Sequence, residues 1–235
     1  MEEHYSLGGY EAVARGYNAL IFSGPGQADG LYERGLPLRH DFESVVAPAL
    51  DLVLERSEVD DGRIAIIGRS FGGYLAPRAS AFEQRLSALI ADPGQIDLGK
   101  NLRDRLPLEW REMLDANDPA FNDAFWESNP GERGAEFWGS RMAAHGVKTP
   151  LELAREMTRW VVPAERIECP AFVSQAEGDY AGQYGEHLAK GISGPVRFVQ
   201  FTAAEGSGGH CEGMGASRFY ERAFGWLDVT FKHSS

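Results

Sequence analysis

The chain has 235 residues, of which 35 are acidic and 23 basic, giving a formal net charge of −12, and 43% of its residues are hydrophobic. This size and composition predict one packed domain, or one domain with a modest insertion, and exclude a disordered chain and a coiled coil. The acidic balance without a Lys/Arg cluster excludes nucleic acid and anionic membrane as main partners, and no apolar run reaches the roughly 18 residues of a membrane span.

The cysteines and the start of the sequence bear on compartment and cofactors. Cys169 and Cys211 cannot form a disulfide framework and do not have the spacing of metal ligands. Residues 1–4 lack the basic and apolar pattern of a secretory signal. The sequence has no Gly-x-Gly-x-x-Gly phosphate loop and no His/Cys cluster. We therefore expect a cytoplasmic protein without a metal, nucleotide or flavin cofactor.

Helical and extended patterns alternate along the chain, which predicts an α/β fold with a largely parallel sheet. Apolar runs predict buried strands at Asn18–Phe22, Arg63–Ile67, Ala88–Ala91, Ala171–Gln175 and Val196–Phe201. Helical spacing predicts helices at Tyr5–Arg15, Phe42–Arg56, Phe71–Phe82, Gly185–Lys190 and Ser217–Phe231. Asp41 is the expected N-cap of the second helix, and Pro48 predicts a kink or a later start.

The alternation stops between residues 96 and 163, where the sequence is helical and irregular. This stretch holds four of the five tryptophans: Trp110, Trp126, Trp138 and Trp160. We interpret residues 96–163 as a helical insertion, or lid, over one edge of the sheet, and residues 1–95 and 164–235 as the core. The tryptophans either line an aromatic pocket or pack the insertion onto the body.

The most informative segment is Ile64–Gly73, which runs from a strand through Gly68-Arg69-Ser70-Phe71-Gly72 into a helix. A Gly-x-Ser-x-Gly turn in this context is typical of a nucleophile elbow, which exposes the serine hydroxyl at the end of the strand. We expect both glycines at positions where a side chain would clash. The N–H of Phe71, at the start of the helix, is placed to donate to an oxyanion. The alternative is a glycine-rich turn whose serine caps the helix.

A nucleophilic serine needs a base, and His210 is the candidate. It lies in the glycine-rich loop Glu205–Cys211, which follows the last predicted strand. The carboxyl ends of parallel strands meet at one edge of a sheet, so this loop would lie near Ser70. The alternative is an ordinary surface histidine. The other histidines are His4 and His233 near the termini, His40 before a helix, His145 in the insertion and His187 within a helix.

Asp179 is the candidate acid that orients the histidine, with Glu177 as second choice. Both follow the fourth predicted strand, and Gly178 allows a tight turn that aims the next carboxylate inward. The alternative is a solvated loop acid. The order Ser70, Asp179, His210 is the chain order of α/β-hydrolase triads. Cys211 has no elbow of its own, so we expect an inert cysteine.

Four segments carry a resemblance to a known family: Glu11–Gln27, Gly68–Glu83, Ala91–Gly94 and Glu205–Cys211. They resemble the α/β-hydrolase superfamily, and within it the branch that contains 2,6-dihydropseudooxynicotine hydrolase and fungal polyketide-shortening hydrolases. The resemblance covers most of the chain outside the insertion. It implies the α/β-hydrolase fold, the triad roles for Ser70, Asp179 and His210, and hydrolysis of a carbon–carbon bond beside a ketone. It also implies a homodimer.

The sequence departs from this branch in two places. Ser23 and Ala28 stand where the branch has Asp and Gly around its Gly-Pro-Gly-Gln loop. The branch also carries a long N-terminal segment, and this chain starts at what resembles the helix after the family's third strand, whose loop donates the second oxyanion N–H. We expect a fragment or a misassigned start, direct pairing of the two flanking strands with donors from Gly24–Gln27, or a partner chain.

The leading hypothesis is a serine hydrolase that acts through an acyl-enzyme on a β-diketone or acyl-aromatic small molecule. Esterase or thioesterase action on an aromatic or polyketide-like substrate is the alternative chemistry. A non-catalytic hydrolase-like protein is the alternative from another class. The further candidates for contacts with the substrate are Gly24, Arg69, Asp92, Gln95 and Trp126, and Asp97 joins Asp92 and Gln95 as a candidate proton donor.

Overall fold

The computed structural model describes residues 5–181 and 184–232, so His4 and His233 lie outside the described residues. The chain divides into two compact units. The core unit is the described part of residues 1–22, 41–96 and 162–235, and the insertion unit is residues 23–40 and 97–161. Residues 23–40, which we expected in the core, pack with the insertion instead: the Leu38 N–H donates to the Ala144 carbonyl oxygen at 2.7 Å.

The core unit is built on a parallel sheet, as predicted. Its four described strands lie side by side in chain order, and they are β1 (Ala65–Arg69), β2 (Ala88–Asp92), β3 (Ala171–Ala176) and β4 (Val196–Phe201). All five residues of β2 are buried, as expected for a strand covered on both faces. Parallel strands need long crossover connections, and helices supply them here.

Five of the α-helices in the described residues correspond to predicted ones, with ends that differ by up to five residues, and the others lie in residues 23–40 and in the insertion. In chain order the α-helices are α1 Tyr10–Ala14, α2 Ala28–Tyr32, α3 Glu43–Leu54, α4 Gly72–Ser80, α5 Leu98–Arg105, α6 Leu108–Ala116, α7 Ala120–Ser128, α8 Gly131–Ala144, α9 Pro150–Met157, α10 Gly185–Gly191 and α11 Ser217–Lys232. Single turns of other helix types occupy Tyr5–Gly9, Ala164–Arg166 and His210–Glu212.

The predicted strand Asn18–Phe22 is wrong. The segment has no regular structure, and Leu20 is 59% exposed. The described part of the sheet ends at β1, which pairs with β2 alone, so the expected direct pairing of this segment with β1 does not occur. Apolar residues favour a strand only where a neighbouring strand supplies hydrogen-bond partners, and no described strand lies beside this segment.

The start of α3 also differs from the prediction. Phe42, not Asp41, is the N-cap, and no side chain caps the helix. Asp41 contributes its carbonyl oxygen, which accepts from the Ser44 N–H at 3.0 Å. Pro48 lies inside an uninterrupted helix at an exposed position, where water can reach the carbonyl group that the proline leaves without its usual donor.

Each unit has its own apolar core. In the core unit, Ile90, Phe172 and Phe201 from the sheet pack with Phe219 and Phe224 from α11. In the insertion unit, the buried residues Leu106, Phe121, Leu151 and Ala154 form the core. Three of the tryptophans pack on aromatic partners within this unit: Trp110 on Phe121, Trp138 on Phe125 and Trp160 on His145.

Candidate active site

Ser70 sits at the turn between β1 and α4 with a left-handed backbone. Its φ is +56°, a conformation that is costly for a residue with a side chain and is typical of a nucleophile elbow. The Ser70 N–H donates to the Asp92 carbonyl oxygen at the end of β2, at 2.7 Å. The side-chain amide of Gln95 donates to the Ser70 carbonyl oxygen at 2.8 Å. Both main-chain polar groups of Ser70 are therefore held by the loop after β2.

Glycines around the elbow are required at positions that differ in part from the prediction. A Cβ atom on Gly68 would lie 1.9 Å from the Gly72 carbonyl oxygen, so this glycine is needed as expected. A Cβ atom on Gly72 would meet nothing within 4 Å, so the expected clash there is wrong. The second requirement falls on Gly73, where a Cβ atom would lie 1.9 Å from the Pro93 carbonyl oxygen. The Gly72-Gly73 doublet was the available sequence signal.

The three predicted triad side chains are connected by hydrogen bonds. The Ser70 Oγ lies 2.7 Å from His210 Nε2, and His210 Nδ1 lies 2.9 Å from Asp179 Oδ1. Ser70 directly follows β1, Asp179 follows β3 and His210 follows β4, so all three lie at the carboxyl ends of parallel strands. With the proton on Nδ1, the imidazole donates to Asp179 and its Nε2 can accept the serine proton.

Asp179 has the environment of an ionised carboxylate. Burial raises its pKa, but the hydrogen bonds from His210 and from the Ala181 and Cys211 N–H groups outweigh this effect and hold the pKa below its ordinary value. Glu177, the second choice, is exposed and accepts from the Ala203 N–H at 2.8 Å. The geometry therefore selects Asp179.

Tyr180 is a neighbour of the site that the sequence analysis missed. Its ring lies 4.9 Å from the His210 imidazole, centroid to centroid, with 31° between the planes. The residue is 62% exposed. Its position directly after Asp179 was the available signal, because the tight turn at Gly178 presents both side chains to the same side chain, His210.

A buried ion cluster lies behind the triad. Arg69 donates to Asp92 Oδ2 at 2.7 Å and to Glu212 Oε2 at 3.2 Å, and its Nη1 donates to the Tyr220 hydroxyl at 3.0 Å. The side chains of Arg69 and Asp92 are 5% and 1% exposed. Asp92 also accepts from the Ser174 hydroxyl at 2.9 Å. The buried charges of Arg69 and Asp92 are thus paired with each other, and their predicted contacts with substrate stay a prediction.

The charges of this cluster balance only if Glu212 is protonated. Burial and the nearby negative charge of Asp92 raise the pKa of Glu212 to about 9. The closeness of a second carboxyl group, on Asp92, thus favours a proton on one of the two acids. Near neutral pH the cluster is thus one guanidinium, one carboxylate and one neutral acid.

The remaining candidate residues have other positions. Phe71 is the N-cap of α4, directly after the nucleophile, so an oxyanion role for its N–H stays a prediction. Gln95 is buried and bonded to Ser70, and Asp97 caps α5 through the Lys100 N–H, so the substrate contact of Gln95 and the proton-donor role of Asp97 stay predictions. In the insertion unit, the Gly24 N–H donates to the Gln27 side chain at 3.0 Å, and Trp126 packs edge-on against Phe125.

Cys211 lies beside the imidazole. Its Sγ is 3.7 Å from His210 Nε2 and 4.0 Å from Nδ1, and the thiol faces the Asp92 carbonyl oxygen at 3.7 Å. Burial and the negative charge of Asp92 raise the pKa of the thiol to about 12. A thiol of this kind is a poor nucleophile, which agrees with the expected inert cysteine.

In the described part of the chain, no helix combines the length and apolar character needed to cross a bilayer.

Known hydrolases are similar to this chain over almost its whole length. No protein-family model matches the chain. Hydrolase LUC6 of a Fusarium species is 32% identical over 98% of this chain and 59% of that protein. The 20-hydroxy-prefusarin hydrolase of Gibberella moniliformis is 29% identical over 98% of this chain and 59% of that protein. The structure of 2,6-dihydroxy-pseudo-oxynicotine hydrolase matches with a TM-score of 0.71 and 22% identity, over 98% of this chain and 57% of that one.

These similarities and the elbow after β1 show that the chain has the α/β-hydrolase fold and resembles proteins named as hydrolases. The fold and the resemblance to these hydrolases, both inferred from the sequence, are thereby confirmed. The chain spans less than two thirds of the length of the relatives named above.

Proposed function

We propose that the chain carries the catalytic residues of a serine hydrolase that cleaves a carbon–carbon bond next to a ketone. The observation that carries this proposal is the continuous hydrogen-bonded series from Ser70 through His210 to Asp179. A glycine-rich turn with a capping serine would not need a histidine and a buried carboxylate from two other loops at these distances. A non-catalytic relative would have no need to keep the strained backbone of Ser70.

In the proposed reaction, His210 Nε2 removes the proton of Ser70 and the oxygen attacks the carbonyl carbon of the substrate. Asp179 stabilises the imidazolium that results. The N–H of Phe71, at the N-terminus of α4, donates to the oxyanion, where the helix dipole also favours negative charge. Collapse of the intermediate breaks the bond to the leaving group, which takes the proton from His210. His210 then activates a water molecule in the same way, and this water hydrolyses the acyl-enzyme and releases the acid.

The carbon leaving group determines the class of substrate. A carbanion leaves only when it is stabilised as an enolate or by a phenol-type ring, so a β-diketone or an acyl-aromatic compound is required. The resemblance to carbon–carbon bond hydrolases supports this choice, and one relative is named as a hydrolase of a small molecule, 20-hydroxy-prefusarin. An ester has a better leaving group and needs no such stabilisation, so the same triad would also hydrolyse aryl esters.

The test is a product analysis on the purified chain. An aryl β-diketone and the matching aryl ester are each incubated with the wild-type chain and with Ser70→Ala. We expect the β-diketone to yield one acid and one methyl ketone in stoichiometric amounts, and Ser70→Ala to yield neither. The exposed His187→Ala is the control for His210→Ala, and it should keep the wild-type rate. Hydrolysis of the ester alone would replace the proposal with esterase activity, and no turnover of either compound would overturn it.

A further inference from the structure

The loop that carries His210 also brings together three different metal-binding side chains. One ligand atom each from Asp179, His210 and Cys211 lies within 4.8 Å of the other two. Carboxylate, imidazole and thiolate are the ligand types found around zinc in proteins. The sequence has no recognisable metal-ligand spacing here, because Asp179 and His210 come from separate loops and Cys211 has no second cysteine nearby.

The distances between the ligand atoms lie near those of a tetrahedral site. With zinc bond lengths of about 2.0–2.3 Å, two ligand atoms on the same ion lie about 3.3–3.6 Å apart. His210 Nδ1 is 2.9 Å from Asp179 Oδ1 and 4.0 Å from the Cys211 Sγ. Both distances are within about 1 Å of the spacing that one ion requires, and all three ligand atoms lie within 4.8 Å of one another.

Hydrogen bonds from neighbouring groups also hold two of the three ligand residues in place. Asp179 accepts from the Ala181 N–H at 2.7 Å and from the Cys211 N–H at 3.3 Å, so its carboxylate is fixed in orientation. Cys211 has a left-handed backbone with φ +50°, and its carbonyl oxygen accepts from Arg69 Nη2 at 2.6 Å. The thiol lies 3.7 Å from His210 Nε2, and its present partner is the Asp92 carbonyl oxygen, also at 3.7 Å.

We propose that Asp179, His210 and Cys211 bind a divalent cation of the zinc class, and that the bound ion switches off Ser70. The binding stands by itself, whereas the switch rests on the proposed function. On binding, the hydrated ion loses water, the Cys211 thiol releases its proton to solvent, and the Nδ1 proton of His210 moves to Nε2. The ion, one thiolate and one carboxylate then sum to zero charge, and a water completes the coordination.

The loss of activity follows from the tautomer. With the ion on Nδ1 and the proton on Nε2, His210 has no lone pair directed at the Ser70 hydroxyl and cannot act as its base. Hard cations such as Mg²⁺ prefer oxygen ligands and should not compete for a site with sulfur and nitrogen. The structure thus assigns to Cys211 the role of making the triad sensitive to soft divalent metals.

The first experiment measures binding without any need for activity. The purified chain, without a histidine tag, is titrated with Co²⁺, because cobalt–thiolate bonds absorb in the near ultraviolet. We expect this absorption at one equivalent in the wild-type chain and in Cys169→Ser, which removes the other cysteine. Cys211→Ser should lack it. Absence of the band from the wild-type chain, or its survival in Cys211→Ser, would overturn the site.

The second experiment measures the switch. Labelling of Ser70 by a fluorophosphonate is followed with Zn²⁺, with Mg²⁺ and after addition of EDTA, and each variant is compared with its own metal-free rate. Zn²⁺ should slow labelling at least about 10-fold in the wild-type chain and in Cys169→Ser, reversibly, while Cys211→Ser should require at least about 10-fold more Zn²⁺. Equal zinc sensitivity of the two variants would refute the switch. A chain that never labels would refute the hydrolase function, while the cobalt titration would still decide the metal site.

Discussion

Arg69 Nη2 donates a hydrogen bond of 2.6 Å to the carbonyl oxygen of Cys211. The residue directly before the candidate nucleophile is thereby bonded to the residue directly after the candidate base. The same guanidinium pairs with Asp92 at the end of β2. The buried Arg69 side chain therefore connects the ends of β1 and β2 with the loop that carries His210. It affects the reaction by holding Ser70 and His210 in position.

Replacement of this side chain should be strongly destabilising. Arg69→Met leaves the 1%-exposed carboxylate of Asp92 without its partner, and breaking one side of a buried pair costs about 3–5 kcal/mol of unfolding free energy. Urea unfolding measures this loss. The control is Arg63→Met, which breaks an exposed pair with Asp60 and should leave stability nearly unchanged. Equal effects of the two variants would contradict the role given to Arg69.

Substitution by alanine should lower the unfolding free energy at one of the two adjacent glycines of the elbow and leave it nearly unchanged at the other. Gly73→Ala places a methyl group against the Pro93 carbonyl oxygen, so we expect a loss of at least about 2 kcal/mol in unfolding free energy. Gly72→Ala has open space and lies in the first turn of α4, so the change should stay within about 0.5 kcal/mol. Chemical denaturation of both variants checks this, and a destabilised Gly72→Ala would show that the elbow is packed differently.

Tyr180 should affect reactivity more than stability. Its exposed ring covers the His210 imidazole, and stacked aromatic contacts contribute about 0.5–1.5 kcal/mol. Tyr180→Ala should therefore slow labelling of Ser70 by about 2- to 12-fold, while Tyr180→Phe keeps the ring and the rate. An unchanged rate in Tyr180→Ala would mean that the ring does not help to orient the histidine.

His145 should make the stability of the chain depend on pH. Burial lowers the pKa of this imidazole, which packs against Trp160, from 6.5 to about 4. Between these values the unfolded chain binds more protons than the folded chain, so stability falls as the pH is lowered from 6.5 to 4. One proton contributes at most about 1.4 kcal/mol per pH unit.

The variant His145→Gln cannot take up this proton. We expect its urea midpoint to fall less steeply than that of the wild-type chain between pH 7 and pH 4.5, and His187→Gln, at an exposed position, should keep the wild-type slope. Parallel curves for His145→Gln and the wild-type chain would show that this histidine does not carry the pH dependence.

Local patterns were sufficient for most of the core unit. Runs such as Ala171–Gln175 and Val196–Phe201 are apolar, short and flanked by turns, and they form β3 and β4. Asn18–Phe22 has the same pattern and forms no strand, because a strand depends on its neighbour as much as on its own residues. The placement of residues 23–40 with the insertion likewise depends on contacts such as Leu38 with Ala144, far apart in sequence.

The residues of the candidate site were likewise predictable from the sequence only in part. Ser70, Asp179 and His210 could be selected because each follows a strand, and parallel strands place their carboxyl ends together. Arg69 and Asp92 have the same kind of position, yet they form a buried pair, which only their distance of 2.7 Å reveals. Cys211 and Tyr180 are adjacent in sequence to His210 and Asp179, but only the contacts of both with His210 show that they belong to the site.

The central claim is that Ser70 is a nucleophile activated by His210 and Asp179. Intact mass measurement after treatment with a fluorophosphonate tests it most directly, with peptide mapping of the adduct. The account predicts one adduct on Ser70 in the wild-type chain and none in His210→Ala. Asp179→Asn should label slower by up to about 10⁴-fold, as the wrong imidazole tautomer is then favoured. A folded wild-type chain without an adduct, or labelling of Ser70 that His210→Ala leaves unchanged, would contradict the account.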